Sequence, residues 1–175
     1  CRTDIDRFVR KRQEAKGLVP SLTADARTLL RRAYFDLTGL PPSPEQTDSF
    51  LKAAADNLDA AYSSLLDELL ASTHYGERWG RHWLDLVRFA ESNGYAFDKD
   101  RKNAFRYRDF VIRALNADMP YDEFVRLQVA GDLIRPKDLE AVSATGFLVA
   151  GPFTTQQTQK ERERSRYEQL DDMVH

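Results

Sequence analysis

Apolar residues recur at helical spacing along nearly the whole chain, and polar capping residues punctuate them. Thr3 caps a first predicted helix, with Asp4 and Asp6 in its opening turn, Ile5, Phe8 and Val9 on one face and Gly17 as its stop. A second runs from about Ala24 to Leu37 through Leu29, Leu30, Ala33, Tyr34 and Leu37, and Gly39 with Pro41-Pro42 ends it. Ser43, Pro44 and Gln46 stand where a capping box and a first-turn proline belong. They open a short helix to about Ala53. Asp56 is placed to cap the next, whose stripe is Tyr62, Leu65, Leu66, Leu69 and Leu70.

The strongest helical segment spans His74 to Glu91, with Tyr75, Trp79, Trp83, Leu86, Val87 and Ala90 on one face. Ser92-Asn93-Gly94 ends it, and a loop with Tyr95, Phe97, Asp98 and Asp100 follows. Asn103 is then a cap for a helix carrying Tyr107, Val111 and Leu115. Tyr121 to Ala130 reads as a short helix with Tyr121, Phe124, Val125 and Val129 inward, closed by Gly131. Asp138 to Val149 reads as a helix interrupted or tightened near Gly146. The stretch from Thr154 to Gln159 is polar and carries no period, and Glu161 to Val174 forms a charged peripheral helix with a thin Tyr167, Leu170, Val174 stripe. No useful period-2 run interrupts the series. The expected fold is all-α, a compact irregular arrangement of about seven or eight helices, forming one domain over residues 1–175 within a larger multidomain protein.

Composition narrows the function classes. The 175 residues hold 26 Lys+Arg against 28 Asp+Glu, a formal net charge of −2, which argues against a dedicated nucleic-acid binder. No apolar run approaches the roughly 18 residues of a transmembrane helix. The single cysteine, Cys1, excludes an internal disulfide and any Cys-pair metal or haem attachment within the chain. Beside it, a trimmed end is the simpler expectation and a lipid-modified cysteine the alternative. No covalent cofactor is expected in this chain, and no metal.

Candidate chemistry gathers in the middle. Trp79 and Trp83, four apart, suit stacking on a sugar, a base or a haem edge, but large aromatics in a clean stripe favour core packing for both. His74 and His82 lie two turns and about 80° apart on one helix, too far around to share a metal. His82 on the edge of the tryptophan face is a structural hydrogen-bonder first and a haem ligand second. The span from Arg78 to Arg113 carries nine basic and five acidic residues, a local excess of four positive charges. Arg78, His82, Arg88, Glu91, Asn93, Asp98, Arg101 and Asn103 are its candidate binding residues. They would frame a polar pocket, or else a solvated loop held by caps and Arg–carboxylate pairs. Asp98 and Asp100 suggest an oxygen-ligand loop for calcium, but the glycine and distal glutamate of an EF-hand are missing. Phosphate loops, nucleophile elbows and zinc-helix motifs are absent.

Long strings carry a family resemblance. They include Arg31-Arg32-Ala33-Tyr34-Phe35-Asp36-Leu37-Thr38-Gly39-Leu40-Pro41-Pro42, Tyr75-Gly76-Glu77-Arg78-Trp79-Gly80-Arg81-His82-Trp83-Leu84-Asp85 and Ala130-Gly131-Asp132-Leu133. With Glu91-Ser92-Asn93-Gly94-Tyr95 and Tyr107-Arg108-Asp109, they make the chain resemble the cytochrome-c-associated domain of unknown function abundant in planctomycetes. The resemblance implies a helical region of large exported proteins, extracytoplasmic, with cytochrome-c-like neighbouring domains of the same polypeptide as partners and covalent haem c confined to those flanking domains. It transfers no reaction and no catalytic residue. The leading expectation is a non-catalytic module that packs against or positions a redox domain. The alternative is a carbohydrate-binding or carbohydrate-active module with a polar site around Arg78, Glu91, Asn93 and Asp98.

Overall fold

The computed structural model describes residues 3–94, 98–151 and 158–174. Cys1, Tyr95, Phe97 and residues 154–157 of the polar stretch lie outside them. The fold is all-α, with no strand among the described residues. In chain order the elements are α1 (Asp4–Ala15), α2 (Ala26–Leu37), α3 (Pro44–Leu70), α4 (Thr73–Leu86), α5 (Phe105–Asn116), α6 (Tyr121–Ile134), α7 (Leu139–Ala144), a 3₁₀ turn (Thr145–Val149) and α8 (Gln159–Val174).

Local chemistry explains most of the boundaries. Thr3 and Ser43 each close a full capping box, with Asp6 and Gln46 returning the bond to the cap backbone. The two helices expected on either side of Asp56 form one bent element. Asn57 leaves helical geometry at φ −154°, ψ 99°, and its Oδ1 accepts the Ala60 N–H at 3.0 Å. The cap is thus Asn57 and not its neighbour Asp56. At the end of α2, Gly39 takes φ +72°, a left-handed turn that glycine adopts without steric cost.

α4 ends earlier than the pattern predicts. Arg88 adopts φ +53°, and the Phe89 N–H reaches back to the Leu84 carbonyl at 2.9 Å. That six-to-one bond terminates the helix without a glycine, and Phe89 packs onto the cluster that contains Leu84. Conversely, Gly131 does not stop α6, which continues to Ile134 through a kink at Ala130. A Cβ at Gly131 would sit 2.0 Å from the Ala141 carbonyl oxygen, so the glycine is where α7 lies against α6.

Two apolar clusters result. Leu30, Ala33 and Tyr34 of α2 meet Phe50, Leu65 and Leu69 of α3. The second joins Leu84 of α4, Tyr107, Phe110, Val111 and Ala114 of α5, Phe124 and Leu127 of α6, and Ala141 and Ala144 of α7. Phe110 stacks on Phe124 with centroids 5.7 Å apart and planes 6° from parallel, while Trp83 meets Phe124 edge-on at 5.0 Å. α4 and α5 touch backbone to backbone, since a Cβ on Gly76 would stand 2.4 Å from the Ile112 carbonyl oxygen. Asn116 at the end of α5 locks that crossing: Oδ1 accepts the Gly76 N–H at 2.7 Å and Nδ2 donates to the Thr73 carbonyl at 3.0 Å.

A buried polar triad ties three helices together. Trp83 Nε1 donates to both Tyr107 Oη (3.0 Å) and Gln128 Oε1 (2.9 Å), and Tyr107 Oη donates to the same Gln128 oxygen at 2.6 Å. Gln128 Nε2 completes its own valence on the Phe124 carbonyl at 3.2 Å. The inward face of α6 is therefore Phe124, Leu127, Gln128 and Gly131, whereas Tyr121 and Val129 are exposed, contrary to the expected stripe. Replacing Gln128 with Leu deprives two buried donors of their shared acceptor and should destabilise the fold by about 1–3 kcal/mol. Urea unfolding of Gln128→Leu against wild type measures it.

Burial also raises the Tyr107 hydroxyl well above its ordinary value of 10.0, with the Trp83 hydrogen bond a smaller opposing effect. A group with a raised folded-state pKa contributes stability below its unfolded value and loses it as pH climbs. Stability should accordingly fall as pH rises past about 10, and Tyr107→Phe should show a shallower fall over the same range. Chemical denaturation at a series of alkaline pH values checks the slope.

Candidate functional site

The predicted polar region begins where α4 ends. Residues 91–94 and 98–101 run antiparallel about the bridge between Ser92 and Asp100. The Arg101 N–H donates to the Glu91 carbonyl at 2.7 Å and the Asn93 N–H to the Lys99 carbonyl at 3.0 Å. Gly94, at φ +74°, donates its N–H to Asp98 Oδ1 at 2.7 Å, so Asp98 holds the turn. No group of three His, Cys, Asp or Glu side chains able to hold a metal forms among the described residues.

Arg101 is the centre of this region. Its Nε donates to Asn93 Oδ1 at 2.9 Å. Its two terminal nitrogens reach the Val149, Ala150 and Gly151 carbonyls at 3.0, 3.2 and 2.8 Å. Those carbonyls close the 3₁₀ turn, where a cation meets both the unsatisfied acceptors and the negative end of the local backbone dipole. Glu91 is engaged by Arg108, which also pairs with Asp109 at 3.0 Å. Four of the eight candidate residues, Glu91, Asn93, Asp98 and Arg101, are thus brought together, and their bonds fasten the loop.

Asn103 departs from its expected role. α5 starts from Ala104 with no side-chain cap, and Asn103 lines a groove of about 700 Å³ between the loop, α5, α7 and the 3₁₀ turn. Phe89, Tyr107, Val142 and Leu148 give the groove its apolar walls. Arg101, Lys102 and Arg106 bring positive charge to it, and Asp132 is the one carboxylate among its lining residues. Gly146 belongs to the same wall because a Cβ there would lie 2.7 Å from Tyr107 Cβ. Lys102 and Arg106 fall within the basic stretch read from the sequence, whereas Asp132 was missed because it lies on α6, which only the packing brings to this groove. The apolar period through Tyr107 and Val142 was the available signal.

The remaining candidates lie elsewhere. Trp83 is built into the core triad as expected, but Trp79 is 41% exposed, so the shared stripe splits at the surface. His82 is exposed too and meets the Trp79 ring edge-on at 5.3 Å. Arg78 lies on α4 against Gly39, remote in the chain from the loop. Arg88 provides the left-handed end of α4.

Comparison with known proteins places this geometry in a family. The profile of PSCyt2, a protein family of unknown function (DUF1549), matches residues 4–175. The chain belongs to the PSCyt2 family. No curated protein matches it, and neither does any solved structure. The PSCyt2 match fits the cytochrome-c-associated resemblance of the sequence, and it takes in α1 and α8 as well as the two apolar clusters.

Replacing Arg101 with Leu removes four hydrogen bonds from one guanidinium and should cost about 2 kcal/mol. Amide exchange should accelerate at residues 91–101 and around Ala150 while the α2–α3 amides keep their protection. Hydrogen-exchange mass spectrometry separates that local outcome from global unfolding.

Proposed function

We propose that this PSCyt2 region is a non-catalytic, extracytoplasmic helical module that packs against or positions a c-type-cytochrome redox domain of the same polypeptide. The observation that carries the reading is α1. It is a well-capped amphipathic helix with no buried residue, and its apolar stripe is open: Ile5 and Phe8 are each 74% exposed, with Val9 half-exposed. Leu18, Val19 and Leu22 extend the exposed apolar surface beyond its end. A contiguous apolar surface of this kind suits an interface better than water. The family profile includes this helix, so it belongs to the module.

The polar loop supports the same reading. Its acidic and basic candidates are engaged in fastening backbone, and the groove beside it presents a single carboxylate. Hydrolysis of a glycosidic bond calls for two, about 5–10 Å apart. Trp79, the exposed indole, is not among the residues of that groove.

Phe8→Asp should leave the thermal stability of this region within about 2 °C of wild type, since the side chain packs on nothing here. In the full polypeptide it should weaken docking of the haem-bearing domain about tenfold or more, the effect of losing one buried aromatic side chain. Cross-linking mass spectrometry on that polypeptide, wild type against Phe8→Asp, reads the outcome. An identical cross-link pattern in both, or none from residues 4–22 to a haem-bearing segment, would overturn the proposal.

A further inference from the structure

Where the α2–α3 turn meets α4, two arginine side chains close on the same glycine. Arg78 and Arg81 stand one turn apart on α4 and lean on Gly39. A point one Cβ bond from the Gly39 backbone lies 3.6 Å from Arg78 Nε and 3.6 Å from Arg81 Nη2. Glycine at φ +72° carries no Cβ at that point, and one there would press on Arg78 Cδ at 3.0 Å.

Arg78 Nε is buried and makes no hydrogen bond. Neither arginine forms an ion pair among the described residues. Glu77, their neighbour on α4, is engaged by His74 at 2.8 Å. Asp85, next along the same stripe, and Asp36, in the last turn of α2, pair with neither arginine. Within the turn, the Gly39 N–H is spent on the Tyr34 carbonyl and the Leu40 N–H on Thr38 Oγ1, and Pro41 and Pro42 carry none.

Two like charges held this close, one with a buried and unanswered donor, repel unless an anion joins them. The fork of a guanidinium matches the paired oxygens of a tetrahedral oxyanion, and two forks supply two positive charges to one dianion. We propose that Arg78 and Arg81, seated on the Gly39 turn, form a binding site for a phosphate or sulfate group. The site is on the α2–α4 side of the molecule, separate from the groove beside Arg101, and it stands whether or not α1 docks a redox domain.

The test is a titration of the whole chain with sodium phosphate, sodium sulfate and methyl phosphate, each against sodium chloride at matched ionic strength, followed by amide shifts of Gly39, Leu40 and Arg78. Saturable shifts with an oxyanion and not with chloride are expected, weakened at least tenfold in Arg81→Gln, whose exposed side chain is outside both apolar clusters. Arg78→Gln should do the same. Methyl phosphate binding as well as phosphate assigns the site to an esterified group, and phosphate or sulfate alone assigns it to the free ion; both support the site. Equal responses to chloride, or oxyanion affinity unchanged in Arg81→Gln and Arg78→Gln, would overturn it.

Discussion

One carboxamide oxygen, Gln128 Oε1, receives hydrogen bonds from two helices at once, and the second apolar cluster is arranged around that constraint. Trp83 enters from α4 and Tyr107 from α5, so their positions along the helix axes are fixed to the width of one oxygen. Apolar packing alone tolerates sliding by a fraction of a turn. A buried donor without an acceptor does not, because its desolvation is then uncompensated. Tyr107 is also the residue against which Gly146 presses and one wall of the groove beside Arg101. The placement of α7, of the 3₁₀ turn and of the groove between them therefore depends on the same three side chains.

The caps at Thr3 and Ser43 were legible in the sequence because their chemistry is local, whereas the expected cap at Asp56 falls to Asn57 and the one at Asn103 is absent. Thr3 with Asp6 and Ser43 with Gln46 need nothing beyond three residues to declare a helix start. A change of geometry near Gly146 was legible too, although the close approach of Tyr107 there was not. For Gly131 and the two tryptophans, the deciding partner was distant. Gly131 looks like a stop until the Ala141 carbonyl is beside it. Trp79 and Trp83 share a helical face, and periodicity assigns a face without assigning depth. Only the position of α6 shows that Trp83 is covered and Trp79 is half in water. Gln128 was overlooked because a polar residue is discounted in a search for apolar stripes, even though it falls four residues after Phe124 on the inward side.

The charged candidates divide by what their donors face. Arg101 points at the free carbonyls that end the 3₁₀ turn, so its charge is spent on backbone and its loop becomes part of the scaffold. Arg108 does the same work through Glu91 and Asp109. Sequence reasoning grouped these with Arg78 because all lie within one basic stretch. In space Arg78 belongs with Arg81 and the Gly39 turn, and its Nε makes no hydrogen bond. A local excess of positive charge in sequence thus resolves into a part spent on backbone and acids of the scaffold and a part, Arg78 and Arg81, that forms no ion pair among the described residues.

That division bears on how the two apolar clusters are joined. The α2–α3 cluster and the α4–α7 cluster share no buried side chain, and α2 meets α4 at the Gly39 seam. A ligand bound there would stabilise the joined arrangement by its own binding free energy, since a dianion that engages both arginines needs α4 and the Gly39 turn in place together. The seam is therefore the point at which a small charged molecule would act on the geometry of the whole module.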